Sequence, residues 1–309
     1  MSTLTTTSRK LVGLLEIKFK MVNETGLLIR APQAKMVIGG ADQQSMSVRK
    51  IYTVDGQEIE VEVPFIPGSS LKGRMRSLLE QSSGSVLYDT SRGIFMHVRD
   101  FIKNYCKDIK HDLDNLFGSP SIPLFKITDA NLKKQIVELY APTRLIVRDM
   151  YPSEEYVKEL YSKVKVLSLD VFLEEKSENR IDRITSAADP RTVYRVKPGV
   201  EFDGEFKILI YDIDVDENKL GQVPNYVKLI AQGLKLVEDT YLGGCGTRGY
   251  GKVKFKDVKL RLKTIDYYRT GSSNEIHDLG NFATTEEFLR SYDEVAKKII
   301  EILKHKMAN

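Results

Sequence analysis

Cysteine and histidine are scarce in this chain. Its 309 residues include two cysteines, Cys106 and Cys245, and four histidines. The cysteines lie far apart and form no C-x-x-C pair, so they read as free thiols of a reducing compartment. With the histidines scattered, no resident metal site is expected. No apolar run approaches the ~20 residues that span a bilayer. Residues 1–10 are rich in Ser and Thr and lack an apolar segment, which leaves no secretory signal to read. The expectation is a cytoplasmic protein with no membrane partner. A net charge of +4 is too small to argue for nucleic acid by itself. The aromatic motifs with which RNA-binding sheets stack bases are not evident either.

Glycine is concentrated in one place. Residues 243–251 read Gly-Gly-Cys-Gly-Thr-Arg-Gly-Tyr-Gly, five glycines in nine. Val227, Ile230, Leu234 and Val237 recur at helical spacing before this stretch, and Val253 and Phe255 alternate with lysines after it. A glycine turn therefore follows a helix and precedes a strand. Nucleotide-binding loops run the other way, from strand through glycines into a helix start, so a mononucleotide site is disfavoured. A plain helix C-terminus remains an alternative. Five glycines around Arg248 exceed what a stop requires.

Basic residues cluster although the total is balanced. In residues 64–80, Leu71, Met75, Leu78 and Leu79 make an apolar helix face, with Lys72, Arg74 and Arg76 beside it. Ser69 or Ser70 is the expected cap. Cations at a helix start can hold a phosphate, although a solvated basic face has the same pattern. Residues 179–191 alternate arginine with aliphatics, and 192–196 have strand character. Together they suggest a hairpin that projects from the body and turns near 187–190. Asp55-Gly56 marks another hairpin over residues 48–63.

With insertions set aside, the elements run strand 11–22, helix 69–81, strand 143–149, strand 201–212, helix 225–239, strand 252–262. This βαββαβ order predicts an α+β, ferredoxin-like or RRM-like core. Residues 83–140 read as a helical insert, with 92–114 and 131–139 as its helices. Residues 151–200 hold a second insert, with a helix at 154–165 and the hairpin. Residues 263–309 read as a C-terminal helical extension beyond a core spanning 1–262, with the helix at 285–307.

Four stretches, 66–76, 145–149, 181–196 and 242–254, resemble the RAMP superfamily of CRISPR–Cas proteins. Within it they are similar to the repeated backbone subunit of type III, Csm-type complexes. The resemblance implies a RAMP core with helical insertions and a projecting thumb hairpin. It further implies binding of crRNA and target RNA, with other RAMP subunits and a large polymerase-like subunit as partners. Lys72, Arg74, Arg76, Arg49, Lys50, Arg180, Arg183, Arg191, Arg195 and Arg248 would contact RNA, together with Gly244, Gly246 and Gly249. RNA binding needs no cofactor.

Some members of the family cut target RNA with an aspartate and a divalent metal such as magnesium. Here the aligned place after Gly39-Gly40 holds Arg49 or a neighbour, and a cation can neither bind metal nor act as a base. A non-cleaving copy is therefore expected, with Asp42 and then Asp55 as fallback catalytic residues. Guide processing by histidine is disfavoured, because His97, His111, His277 and His305 fall in inserts or the tail. A protein-interaction module without RNA is the remaining alternative.

Overall fold

The computed structural model describes residues 8–31, 43–91, 93–102 and 105–308. Its main sheet is antiparallel. The strand order is Ile276–Thr284, Val253–Thr264, Leu11–Asn23, Glu201–Tyr211, Leu145–Val147, and the short Tyr151–Pro152 also pairs with Glu201–Tyr211. Helices Gly68–Ser82, Val223–Asp239 and Thr285–Ala308 contribute the matching apolar layer. The first two approach closely at Gly233, where an added Cβ would stand 2.7 Å from Met75 Cε. Ile17, Met21, Phe206, Ile208, Phe255 and Leu260 are almost fully buried in the core, and Phe19 meets Phe206 and Phe255 edge-on at 4.9 and 5.3 Å.

Charges dominate the alternate positions of the central strands. Lys18 lies across from Glu205 and Lys20 across from Asp203. Lys20 also reaches Glu155 at 2.7 Å, and Lys263 reaches Glu16 at 3.3 Å. Such opposite-charge pairs stabilise the sheet, Glu16 from a buried position.

The Asp55-Gly56 hairpin forms between Ser47–Val54 and Gln57–Pro64, with both turn residues at positive φ, 51° and 79°. The projecting hairpin joins Leu173–Ile181 to Ala188–Val196. Its turn lies earlier than expected, at 182–187, because the Asp182 carboxylate accepts from the backbone N–H of Ile184 and of Thr185.

Three expectations need correction. Over its described residues, 93–102 and 105–114, the stretch 92–114 is not a helix. It holds the end of the small hairpin Tyr88–Ser91/Ile94–Met96 and loops, with a short helix only at Asp112–Phe117. Buried Arg99 and Asn115 donate to the Ile109 carbonyl, so side chains rather than helical bonds satisfy that backbone. The C-terminal extension is not purely helical, because Ile276–Thr284 adds an edge strand to the sheet. The basic helix starts at Gly68 with Pro67 as its cap residue and no side-chain cap bond, so neither Ser69 nor Ser70 caps it. The Gly68 N–H donates instead to Asp149 Oδ1 at 2.7 Å.

Candidate nucleic-acid interface

The glycine turn is shaped by backbone contacts that side chains would obstruct. Gly243, Cys245, Gly249 and Gly251 all have positive φ. The Leu242 N–H donates to the Gly251 carbonyl at 2.8 Å, and the Gly251 N–H donates to Gly26 at 3.0 Å. The Gly244 N–H donates to Leu28 at 2.8 Å. Gly246 lies flat on the Tyr241 ring, where an added Cβ would stand 2.0 Å from Cγ. These bonds strap the turn to the segment that follows the first strand. Gly249 faces open space.

The basic helix meets this turn through one residue. Arg74 Nε donates to the Tyr241 carbonyl at 3.0 Å, and its guanidinium lies 4.0 Å over the Tyr241 ring. Lys72 and Arg76 turn elsewhere. Lys72 donates to the Leu145 carbonyl of the edge strand at 3.0 Å, and burial, then the charge of Arg76, pulls its ammonium below its ordinary pKa. Arg76 binds Glu80 at 2.6 Å, the Gly118 carbonyl at 2.7 Å, the His97 carbonyl at 3.0 Å and Asp114 at 3.1 Å. The free helix start expected to take a phosphate is occupied by Asp149. Of the three cations on this helix, Arg74 alone stands at the turn.

The projecting hairpin is tied to the same turn. Arg248 Nη1 donates to Glu178 Oε2 at 2.8 Å, and the Tyr250 hydroxyl donates to Glu178 Oε1 at 2.7 Å. Arg195 pairs with Glu174 at 2.7 Å and lies 4.3 Å over the Tyr250 ring, so it braces the hairpin base. Farther out, Arg180 and Arg191 share Asp189 at 3.0 and 3.6 Å, and Arg183 is exposed in the turn beside Ile184, which is 93% exposed.

Arg49 and Lys50 stand on the other hairpin. Exposed Arg49 lies 3.8 Å from Glu60. Lys50 lies 4.9 and 4.7 Å from the ring centres of Tyr52 and Tyr151, and lines a cleft of about 480 Å³ with Lys18, Lys20, Arg148, Asp203 and Lys259. Asp55 is exposed at the hairpin turn. Asp42 and Gly39-Gly40 lie outside the described residues. Sequence reading gave no site role to Glu178, Tyr241 or Asp149, because nothing in their local pattern distinguishes them from surface residues.

A family model described as the RAMP superfamily matches residues 35–254. The chain belongs to the RAMP superfamily. A protein of Methanothermobacter thermautotrophicus, named CRISPR system Cms endoribonuclease Csm3, is 34% identical over 267 residues, covering 85% of this chain and 94% of the relative. A Streptococcus thermophilus protein of the same name is 37% identical over 242 residues, covering 78% and 86%. The crystal structure of Methanopyrus kandleri Csm3 shares the fold at a TM-score of 0.52 and 18% identity, covering 93% of this chain and 98% of that one.

The RAMP match takes in the basic helix, both hairpins and the glycine turn. It stops before most of the last core strand and the C-terminal extension. It also contains a donor cluster that the scattered histidines did not announce. His97 Nε2 and His111 Nδ1 lie 3.2 and 3.1 Å from Asp114 Oδ2, and the two rings stack at 4.3 Å. One ligand atom from each falls within 4.8 Å of the others. Burial pushes the Asp114 carboxyl up, but His111, Arg99 and His97 together hold it below its ordinary value. Two imidazoles and a carboxylate can hold a transition-metal cation, whereas magnesium prefers an all-oxygen set. Two of the four histidines, scattered in the sequence, are thus brought together by the fold.

Proposed function

We propose that this RAMP protein is a crRNA-binding backbone subunit of a type III CRISPR–Cas effector complex. The observation that carries the reading is the Arg74–Tyr241 contact, which sets a cationic helix against a glycine turn. A backbone that comes close and cations that point outward grip ribose-phosphate without reading bases, and pairing with the guide supplies specificity. The core is ferredoxin-like in this reading. Its first strand lies between the last and the third, and the second closes one edge. The hairpin Leu173–Ile181/Ala188–Val196 is the thumb, carrying Arg180, Arg183 and Arg191 beyond the body. Arg248, Gly244, Gly246 and Gly249 form the grip with Arg74, while Lys72, Arg76 and Arg195 shape it from behind. Arg49 and Lys50 offer a second cationic edge. Other RAMP subunits, a large polymerase-like subunit and target RNA complete the assembly, in the cytoplasm.

The test is binding of unstructured RNA over a salt series. Affinity falls steeply with salt and varies little with sequence. A flat salt response, or a strong preference for one sequence, would sink the reading.

A second reading is favoured by the names of the relatives. Both are called endoribonucleases at more than 30% identity. This weighs against the non-cleaving expectation drawn from Arg49. In this reading Asp42 or Asp55 holds magnesium beside target RNA on the same scaffold. Assembled complexes then cut guide-complementary RNA at regular spacing, and Asp42→Ala or Asp55→Ala abolishes the cuts. Full cleavage by both variants would remove these two carboxylates from consideration.

A further inference from the structure

Besides Arg74, four cations among the described residues gather around the glycine turn. Arg248 Nη2 lies 2.7 Å from Cys245 Sγ, and Arg30 Nη2 lies 3.6 Å from the same sulfur. Arg195 and Lys176 each stand 4.3 Å over the Tyr250 ring. Two acids of the hairpin face them. Glu174 takes Arg195, and Glu178 takes Arg248, the Tyr250 hydroxyl and, at 3.6 Å, Lys176. The Glu178 side chain is tucked in at 17% exposed, while Arg248 is 52% exposed. Glu178 pairs with Arg191 across the hairpin, only three residues before the outer end of its strand at Ile181. The contact therefore holds the hairpin far from its base.

We propose that Glu178 competes internally with the RNA backbone: its carboxylate occupies Arg248 in the RNA-free chain, latching the hairpin to the glycine turn, and a guide phosphate takes its place. The proposal rests on the RNA-binding reading. A carboxylate oxygen and a phosphodiester oxygen present a guanidinium with the same charge-assisted hydrogen bond, so one can stand in for the other. They cannot both accept the one Arg248 Nη1–H that Glu178 takes at 2.8 Å. Once displaced, Glu178 leaves a negative charge beside the bound strand and its hairpin free to move. A residue that merely aims Arg248 at RNA would behave in the opposite way, since its loss would weaken binding.

The experiment uses the full RNA-free chain, a fluorescein-labelled polyuridine RNA and anisotropy at fixed salt. Glu178→Gln keeps the shape and removes the charge. It tightens binding about three- to five-fold, the scale of one exposed ion pair. Arg248→Ala weakens binding and erases the gain from Glu178→Gln. Glu175→Gln removes a charge from the same strand, where Glu175 accepts from Tyr194 at 3.2 Å, and gives less than half the gain. Without any RNA, hydrogen exchange over 173–196 is faster in Glu178→Gln than in the parent.

Unchanged or weaker RNA binding by Glu178→Gln overturns the proposal, as does a gain that survives in Arg248→Ala. If the parent binds no RNA even at low salt, the functional reading fails with it. If the parent binds RNA and only the variant's gain is missing, the latch alone fails.

Discussion

Gly249 and Gly251 allow a controlled test of how the glycine turn is built. Both have positive φ, 84° and 73°. They differ only in what surrounds them. A Cβ at Gly249 meets nothing within 4 Å, whereas one at Gly251 would stand 2.0 Å from the Leu242 carbonyl oxygen. Alanine in left-handed backbone costs ~1–2 kcal/mol. Its stiffer unfolded chain returns ~0.5–1 kcal/mol. Gly249→Ala should therefore lose about 1 kcal/mol or less. Gly251→Ala carries the same cost and must also push a backbone carbonyl away. That adds about 1–3 kcal/mol of overpacking and about 1 kcal/mol for weakening the Leu242–Gly251 hydrogen bond. The expected loss is ~2–5 kcal/mol. Urea unfolding followed by far-ultraviolet circular dichroism measures both variants, since the chain has no tryptophan. Losses that agree within about 0.5 kcal/mol would refute the idea that close backbone approach, rather than φ alone, demands glycine here.

Asp214→Ala strands the fully buried Arg144, its partner at 2.9 Å, and should cost ~3–5 kcal/mol in thermal unfolding. A loss below about 1 kcal/mol would show that Arg144 finds another acceptor. Asp149→Ala removes the acceptor from the Gly68 N–H and should cost about 1 kcal/mol by the same assay. Glu16 is raised by burial but brought down to about 2 by a hydrogen bond with Glu205 and by Lys18 and Lys263. A lowered carboxylate contributes stability above its unfolded value of 4.5 and loses it as pH falls. Glu16→Gln should therefore flatten the decline in stability between about pH 5 and 3, and parallel curves for parent and variant would contradict this.

Periodicity made the helical layer legible. Leu71, Met75, Leu78 and Leu79 announce one helix, and Val227, Ile230, Leu234 and Val237 announce another, because packing onto a sheet needs a continuous apolar stripe. The edge strand Ile276–Thr284 was hidden, since only Leu279 on it is buried. The irregular path of 92–114 was not legible, because side-chain donors such as Arg99 and Asn115, which reach the Ile109 carbonyl, leave no period in a sequence. The cations of the site were visible as residue types but not as directions. Lys72, Arg74 and Arg76 sit within five positions and point to an edge strand, a glycine turn and an insert. The Arg74–Tyr241 contact spans 167 positions, and the Glu178–Arg248 contact spans 70. Spacing rules reach a few turns of helix, so neither contact could be read locally.

The two borders of the main sheet limit how it can be extended. One border is a strand of three residues, Leu145–Val147. At the other, the register slips between Leu260 and Arg261. A short or bulged border gives a neighbour no straight ladder of unpaired amides and carbonyls. Edge-to-edge pairing with another sheet is thereby discouraged, so a partner meeting either border would meet side chains and loops rather than a ladder.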